Sequence, residues 1–324
     1  MEDPVRWGFL GAGSIARDAL APAVRAADGA VLHAVAARDP ERARGLEPVA
    51  AYGDYAAVLD DPAVEVVYVA LHNSAHAGWV VAAVQAGKHV LCEKPLGLSV
   101  AEVDRMSSAA TNAGRLLVEA AWNRWHPRTR EFERLLEAGA VGPVRSVESR
   151  FVGMPPRDGD YRYDPALGGG ALYDVGCYAV AGALSAFGWQ EPEGVEAEAE
   201  TWPGGVDART RARLTFPGGG TADVVGGLDG PYEERLDASG DGATLRLVDD
   251  PFTARDAPST LELHDRADPS SPRVRTWPAT NPYRLMVEEV SSGVRGALAT
   301  VVPVAQSRAV ARALDRIREA VDAR

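Results

Sequence analysis

A largely apolar segment, residues 5–10, runs straight into Gly11-Ala12-Gly13-Ser14-Ile15-Ala16, and residues 15–27 then carry helical apolar spacing. Strand, glycine turn and helix in that order are what a dinucleotide-binding Rossmann fold requires. Gly11 makes the tight turn, Gly13 lets a pyrophosphate approach the backbone, and Ala16 lets helix pack closely on strand. The bare GxGxxA pattern also describes a glycine turn between any strand and any helix, so its weight comes from where it sits.

The residues downstream repeat the theme. Short apolar runs at 31–37, 64–71 and 90–92 alternate with helical stretches at 40–45, 75–86 and 99–112, the pattern of βαβ units and a parallel sheet. Residues 64–71 (VEVVYVAL) are almost wholly apolar, as in a strand covered on both faces. Ser99, with Glu102 three residues on, forms a capping box. After Trp122 the period changes to two: candidate strands lie at 144–152, 195–202, 207–216, 221–227, 235–239, 244–248 and 260–264. One helix, 171–187, interrupts them, and helices return at 283–294 and 304–321.

The fold class is therefore α/β: an N-terminal Rossmann domain with a parallel sheet, and a C-terminal α+β domain with a large, mainly antiparallel, open-faced sheet. A chain of 324 residues exceeds the usual single domain. The boundary falls at 1–122 for the dinucleotide-binding domain and 123–324 for substrate binding and oligomerisation, with the C-terminal helices packing back towards the first domain. An open sheet with helices on one face predicts a homodimer or higher homo-oligomer.

Charge narrows the partners. A formal net charge of -12 repels a phosphate backbone, and no Lys/Arg run offsets it, so nucleic acid is not an expected partner. Any anionic ligand must be held by local donors, a helix N-terminus or a single Arg. No apolar run approaches the ~18 residues of a membrane span. Two cysteines, Cys92 and Cys177, without a CxxC partner, read as buried fillers in a cytoplasmic protein and leave no metal site.

An acidic residue closing the second strand would hold the adenosine ribose and favour NAD. This strand instead ends Val35-Ala36-Ala37-Arg38. Arg38 suits bidentate contact with a 2′-phosphate and so points to NADP, with NAD left open if Arg38 is solvated and Asp39 takes the ribose.

Glu93-Lys94-Pro95 closes the strand at 90–92, at the carboxyl edge where open α/β sheets bind ligands. Far downstream, Gly168-Gly169-Gly170 leads into a helix bearing Asp174 and Tyr178, four residues apart. Together with GAGSIA, AARDPERA, the LHNSAH loop, AGKHVLCEKPL, EAAWNRWHP and DPALGGGALYDVGCYAV, these motifs resemble the glucose-fructose oxidoreductase and inositol dehydrogenase (Gfo/Idh/MocA) family over most of the chain. The wording is most similar to the branch of dimeric dihydrodiol dehydrogenases and NADP-dependent xylose and glucose 1-dehydrogenases, where tyrosine replaces histidine at the end of the DxxxH pattern.

The resemblance implies an NADP-dependent enzyme passing hydride between nicotinamide and a sugar or cyclic polyol. Tyr178 would be the general acid/base, with Lys94 favouring its phenolate and Asp174 holding a partner or a substrate hydroxyl. Gly11, Ala12, Gly13, Ser14, Ile15, Ala37, Arg38, Leu71, His72, Asn73, His76, Glu93, Lys94, Pro95, Trp122 and Arg124 are the expected cofactor contacts. Trp122, Trp125 and His126 read equally as sugar-pocket wall and as packing between domains. The alternatives are a ketoreductase of a nucleotide-linked keto-sugar and a catalytically silent nucleotide-binding protein.

Overall fold

The computed structural model describes residues 3–323, and the chain splits into two compact units, 1–122 with Asn281–Ser307 and Asn123–Thr280 with 308–324, each taken over its described residues.

The first unit is built on six parallel strands: β1 (Val5–Leu10), β2 (Ala30–Ala36), β3 (Ala50–Tyr52), β4 (Val66–Val69), β5 (His89–Cys92) and β6 (Leu117–Glu119). Their order, β3-β2-β1-β4-β5-β6, is the doubly wound Rossmann arrangement. β4 is buried along its whole length, as its apolar run predicts. Helix Tyr55–Asp60 presses on β1 so closely that a Cβ on Gly8 would lie 2.6 Å from Val58. Helix Pro282–Val294 belongs to this unit, and the buried Trp7 of β1 donates its indole N–H to Ser291 at 3.1 Å. Ser99 caps helix Val100–Ala113 by accepting from the Glu102 N–H, but the Glu102 carboxylate reaches one residue further back, to the Leu98 N–H at 2.9 Å.

The second unit carries eight strands: β7 (Val144–Val152), β8 (Gly194–Thr201), β9 (Asp207–Thr215), β10 (Thr221–Gly227), β11 (Glu233–Gly240), β12 (Ala243–Val248), β13 (Ser259–Asp265) and β14 (Arg273–Trp277). The order is β14-β13-β12-β11-β7-β10-β9-β8, with β7 and β10 the one parallel pair. Strand β9 alternates inward Ala208, Thr210, Ala212 and Leu214 with outward Arg209, Arg211 and Arg213. Those outward arginines pair across the sheet: Arg213 grips Asp223 of β10 at 2.8 and 2.9 Å, and Arg211 meets Glu200 of β8 at 2.6 Å. Arg246 of β12 likewise holds Asp237 of β11. The face opposite the helices is thus ruled with ion pairs. Among the described residues no helix is long and apolar enough to cross a membrane.

Several elements lie beyond the sequence expectation. Strands β3 and β6, three residues each, are too short to show a period. Strand β14 is almost wholly exposed. Helix Pro127–Glu137 buries Arg128 and Thr129 beside Phe132, so its inner face does not read as apolar.

Candidate active site

In the first unit, the loop after β1 behaves as its glycines require. Gly11 adopts φ +106°, and a Cβ there would lie 2.4 Å from the Ala70 carbonyl of the segment after β4. At Gly13 no atom stands within 4 Å of where a Cβ would be, which leaves a bare backbone open to a pyrophosphate. The Arg17 N–H bonds to the Gly13 carbonyl and starts the helix, whose first turn, Ala16–Leu20, is wound as a wider π-helix. Such turns recur at functional sites. Ala12 is buried, Ile15 half-buried and Ser14 exposed.

Arg38 and Arg42 follow β2. Arg38, directly after the buried Ala37, is exposed and makes no hydrogen bond or ion pair among the described residues. Its rival for the ribose, Asp39, is committed elsewhere: its carboxylate caps helix Pro40–Arg44 by accepting from the Glu41 N–H at 3.0 Å. Arg42, which no local pattern marks, reaches back to the Ala12 carbonyl at 3.0 Å. Open backbone at Gly13 and an uncommitted guanidinium at Arg38 together fit a phosphorylated dinucleotide.

Glu93-Lys94-Pro95 follows β5 and is fixed by three neighbouring segments. The Tyr68 hydroxyl of β4 donates to Glu93 Oε1 at 2.6 Å, and Glu93 Oε2 accepts from the Lys94 N–H at 3.3 Å. Glu119 of β6 accepts from the Leu96 N–H at 2.9 Å. His76 sits with Nδ1 against the Pro95 carbonyl at 3.0 Å and Nε2 against the Leu71 carbonyl at 3.1 Å. Two facing carbonyls favour the imidazolium, but complete burial outweighs them and pushes His76 down to about 4, so the ring is neutral at pH 7. Burial, then the Glu93 charge, holds the Tyr68 phenol well above its ordinary value. His76 therefore sits between the EKP turn and the loop after β4, its single N–H able to donate to only one of the two carbonyls at a time. Among the described residues, no group of three or more His, Cys, Asp or Glu side chains is arranged to hold a metal. In the same loop Asn73 is buried and His72 Nδ1 meets Ser74 Oγ at 3.0 Å. Lys94 is half-buried, and Trp122 stacks on Tyr283 with centroids 4.5 Å apart.

In the second unit, the three glycines explain how Tyr178 is placed. A Cβ on Gly169 would fall 2.5 Å from the Arg162 carbonyl, and one on Gly170, at φ +108°, 2.1 Å from Asp207 Oδ1. Asp207, at the start of β9, accepts from the Leu172 N–H at 2.7 Å and so satisfies an end of the helix that its own backbone cannot. The helix opens with a π-turn, Leu172–Gly176, and continues as Cys177–Ala186. It lies so close to β10 that a Cβ on Gly226 would meet Gly176 Cα at 2.6 Å. Ser149 of β7 donates to the Ala179 carbonyl at 2.7 Å.

Tyr178 is buried, with ring centroids 5.6 Å from Phe151 and 6.2 Å from Phe252. Phe252 is held from both ends of its loop: Arg128, fully buried, donates to the carbonyls of Val248, Asp249 and Asp250, and Glu234 accepts from the N–H groups of Phe252 and Thr253. Asp174 is also buried and receives two hydrogen bonds from Arg162, Nε to Oδ2 at 2.7 Å and Nη2 to Oδ1 at 3.2 Å. Burial alone would lower the Arg162 pKa; the charge and hydrogen bonds of Asp174 more than reverse this and raise it. Arg162 thus belongs to the site although no local pattern marked it.

Arg124 is engaged inside this unit, paired with Glu133 at 3.3 Å and lying 4.4 Å over the Trp189 ring. His126 Nδ1 accepts from the Arg128 N–H at 3.1 Å, which leaves Nε2 to carry the proton. Burial, then the Arg128 charge, pushes His126 down to about 4. Its Nε2 and the indole N–H of Trp125 are buried without a hydrogen-bond partner among the described residues. Both cysteines are buried thiols, Cys177 Sγ facing the Asp174 carbonyl at 3.6 Å, and burial raises the Cys92 thiol well above its usual value.

A Rossmann unit with an open glycine turn, joined in one chain to an open-faced sheet on which a helix bearing a buried tyrosine packs, defines a dinucleotide-dependent oxidoreductase. Residues 5–120 match the oxidoreductase family with an NAD-binding Rossmann fold (GFO_IDH_MocA), and residues 129–246 match the GFO/IDH/MocA C-terminal domain. The chain belongs to the Gfo/Idh/MocA family. It is 36% identical to the NADP-dependent D-xylose 1-dehydrogenase 2 of Haloferax volcanii, over 98% of this chain and 97% of that one. It is 30% identical to trans-1,2-dihydrobenzene-1,2-diol dehydrogenase of Bos taurus, over 98% and 97% respectively. A 3-ketoreductase from Actinomadura kijaniata, solved with NADP and TDP-benzene, superposes with a TM-score of 0.90 at 27% identity, covering 98% of each chain.

Proposed function

We propose that the protein transfers hydride between NADP and a CH–OH group of a sugar or cyclic polyol, as an aldose 1-dehydrogenase does, with Tyr178 as general acid/base and Lys94 as its electrostatic assistant. The observation that carries this reading is the placement of Tyr178: a buried phenol with an aromatic wall, on a helix whose glycine entry leaves no freedom at its start. A phenol titrates near 10, too high for easy deprotonation at neutrality, so an ammonium is needed to favour the phenolate. When bound, the nicotinamide supplies the hydride acceptor or donor. Arg38, uncommitted where Asp39 is not, would take the 2′-phosphate, with Gly11, Gly13 and Arg42 shaping the turn beneath the pyrophosphate.

The test is direct. Purified protein incubated with NADP and a panel of aldoses, cyclic polyols and trans-dihydrodiols should show the absorbance of reduced cofactor with at least one of them. Failure on every free alcohol, with oxidation of NADPH by a nucleotide-linked keto-sugar, would establish instead the second reading, a sugar ketoreductase; the likeness to the Actinomadura enzyme supports keeping it. Cofactor binding without any turnover would leave a silent nucleotide-binding protein.

We also infer a homo-oligomer formed through the ion-paired sheet face, since rows carrying both signs of charge are self-complementary under a two-fold axis.

A further inference from the structure

Arg162 holds one helix by its side chain and its backbone at once. The guanidinium meets Asp174 at two points, 2.7 and 3.2 Å, the planar fork-on-fork geometry that fixes a carboxylate in orientation as well as place. Its carbonyl accepts from the Gly170 N–H at 2.9 Å and occupies the space a side chain on Gly169 would need. Nη1 continues to Asp160 at 3.1 Å, and the Tyr161 ring lies 4.8 Å beneath the guanidinium. The residues between, 163–167, are half-buried or exposed, so the contact joins a surface loop to the first turn of the helix that carries Tyr178.

We propose that Arg162 is a positioning residue for the hydride-transfer reaction, clamping Asp174 as a fixed hydrogen-bond acceptor one helical turn before Tyr178, so that Asp174 orients and does not carry the proton. The inference rests on the assignment of Tyr178 made above. An arginine keeps its proton at every working pH and offers a planar two-pronged fork to a carboxylate; a lysine would supply charge without the fork. A carboxylate free to swing would misplace what it holds, and misplacement by about 1 Å costs on the order of 10²-fold in rate.

The experiment compares the full-length enzyme with Arg162→Ala, Arg162→Lys, Asp174→Asn, the Arg162→Ala/Asp174→Asn double variant and Tyr178→Phe, using NADP and whichever alcohol of the panel is turned over. Arg162→Ala and Asp174→Asn should each lower kcat roughly 10–100-fold while NADPH affinity, read by its fluorescence, stays put. The double variant should be no slower than Asp174→Asn alone, since residues that act as a unit are not additive. Arg162→Lys should recover part of the rate, and added guanidinium ion should restore Arg162→Ala but not the double variant. Wild-type kcat in Arg162→Ala, a loss confined to melting temperature, or losses that multiply would overturn the clamp. If Arg162→Ala does not fold, Arg162→Lys with and without Asp174→Asn gives the same comparison. Full activity in Tyr178→Phe would overturn the assignment of the tyrosine while the Arg162–Asp174 cycle still stands or falls on its own; no turnover by the wild type would overturn both.

Discussion

Gly170 shows how much a single position is asked to do. Its φ of +108° disfavours any side chain, and a methyl group would sit 2.1 Å from the Asp207 carboxylate. Gly170→Ala should therefore cost about 3 kcal/mol, combining backbone strain with overpacking, seen as a lower urea midpoint. Arg38 makes the opposite kind of prediction, concerned with choice and not with stability. With Asp39 tied into a helix cap, Arg38→Ala should raise KM for NADP about 10–100-fold, the worth of one or two charge-assisted hydrogen bonds, and leave KM for NAD nearly unchanged; equal losses for both cofactors would refute the assignment. Lys94, Asp174 and Tyr178 stand out in the sequence as candidates because each lies inside a local motif. Arg162, Arg42 and Asp207 were not, because what marks them is a through-space contact: Asp207 stands thirty-five residues from the N–H it accepts.

At the scale of elements, the helices and strands with a sustained period could be read directly, whereas the six-residue helix Tyr55–Asp60 and the short strands β3 and β6 form because neighbours complete them. Helix Pro127–Glu137 escaped for a chemical reason, since its buried Arg128 donates from its two Nη groups to three carbonyls at and just past the end of β12, which no sequence pattern announces. The tie between the loop after β4 and the EKP turn has a pH signature. His76 is neutral when folded, with its pKa lowered to about 4, while the unfolded chain takes up the proton near 6.5. The unfolded state thus binds more protons between those values, so stability falls as pH drops through that window, by roughly 3 kcal/mol for a shift of that size. His126 shifts in the same direction and adds to the slope. Chemical denaturation at pH 7 and pH 4.5 should show the loss, and His76→Gln should flatten it; an unchanged slope would mean that His76 is charged in the fold.

For the whole molecule, the open sheet face is where charge pairs lie thickest. Light scattering should give twice the 34.3 kDa chain mass at low salt, and ~1 M salt should weaken the assembly, because the Debye length there shrinks to about 3 Å. A monomer at low salt would remove the proposed surface. The net charge of -12 adds long-range repulsion between copies, so ion pairing across such a contact must offset it locally.

The glycine entry to the Tyr178 helix carries an implication for how such an enzyme changes its taste. Three remote stretches of chain converge on a bend that tolerates no added atom, so evolution has little latitude there. If Tyr178 is the acid/base proposed above, variation in what is accepted falls to the neighbouring rings of Phe151 and Phe252 and to the half-exposed Tyr232 beside them. Directed libraries aimed at new alcohols should be spread over those three positions and leave the bend alone.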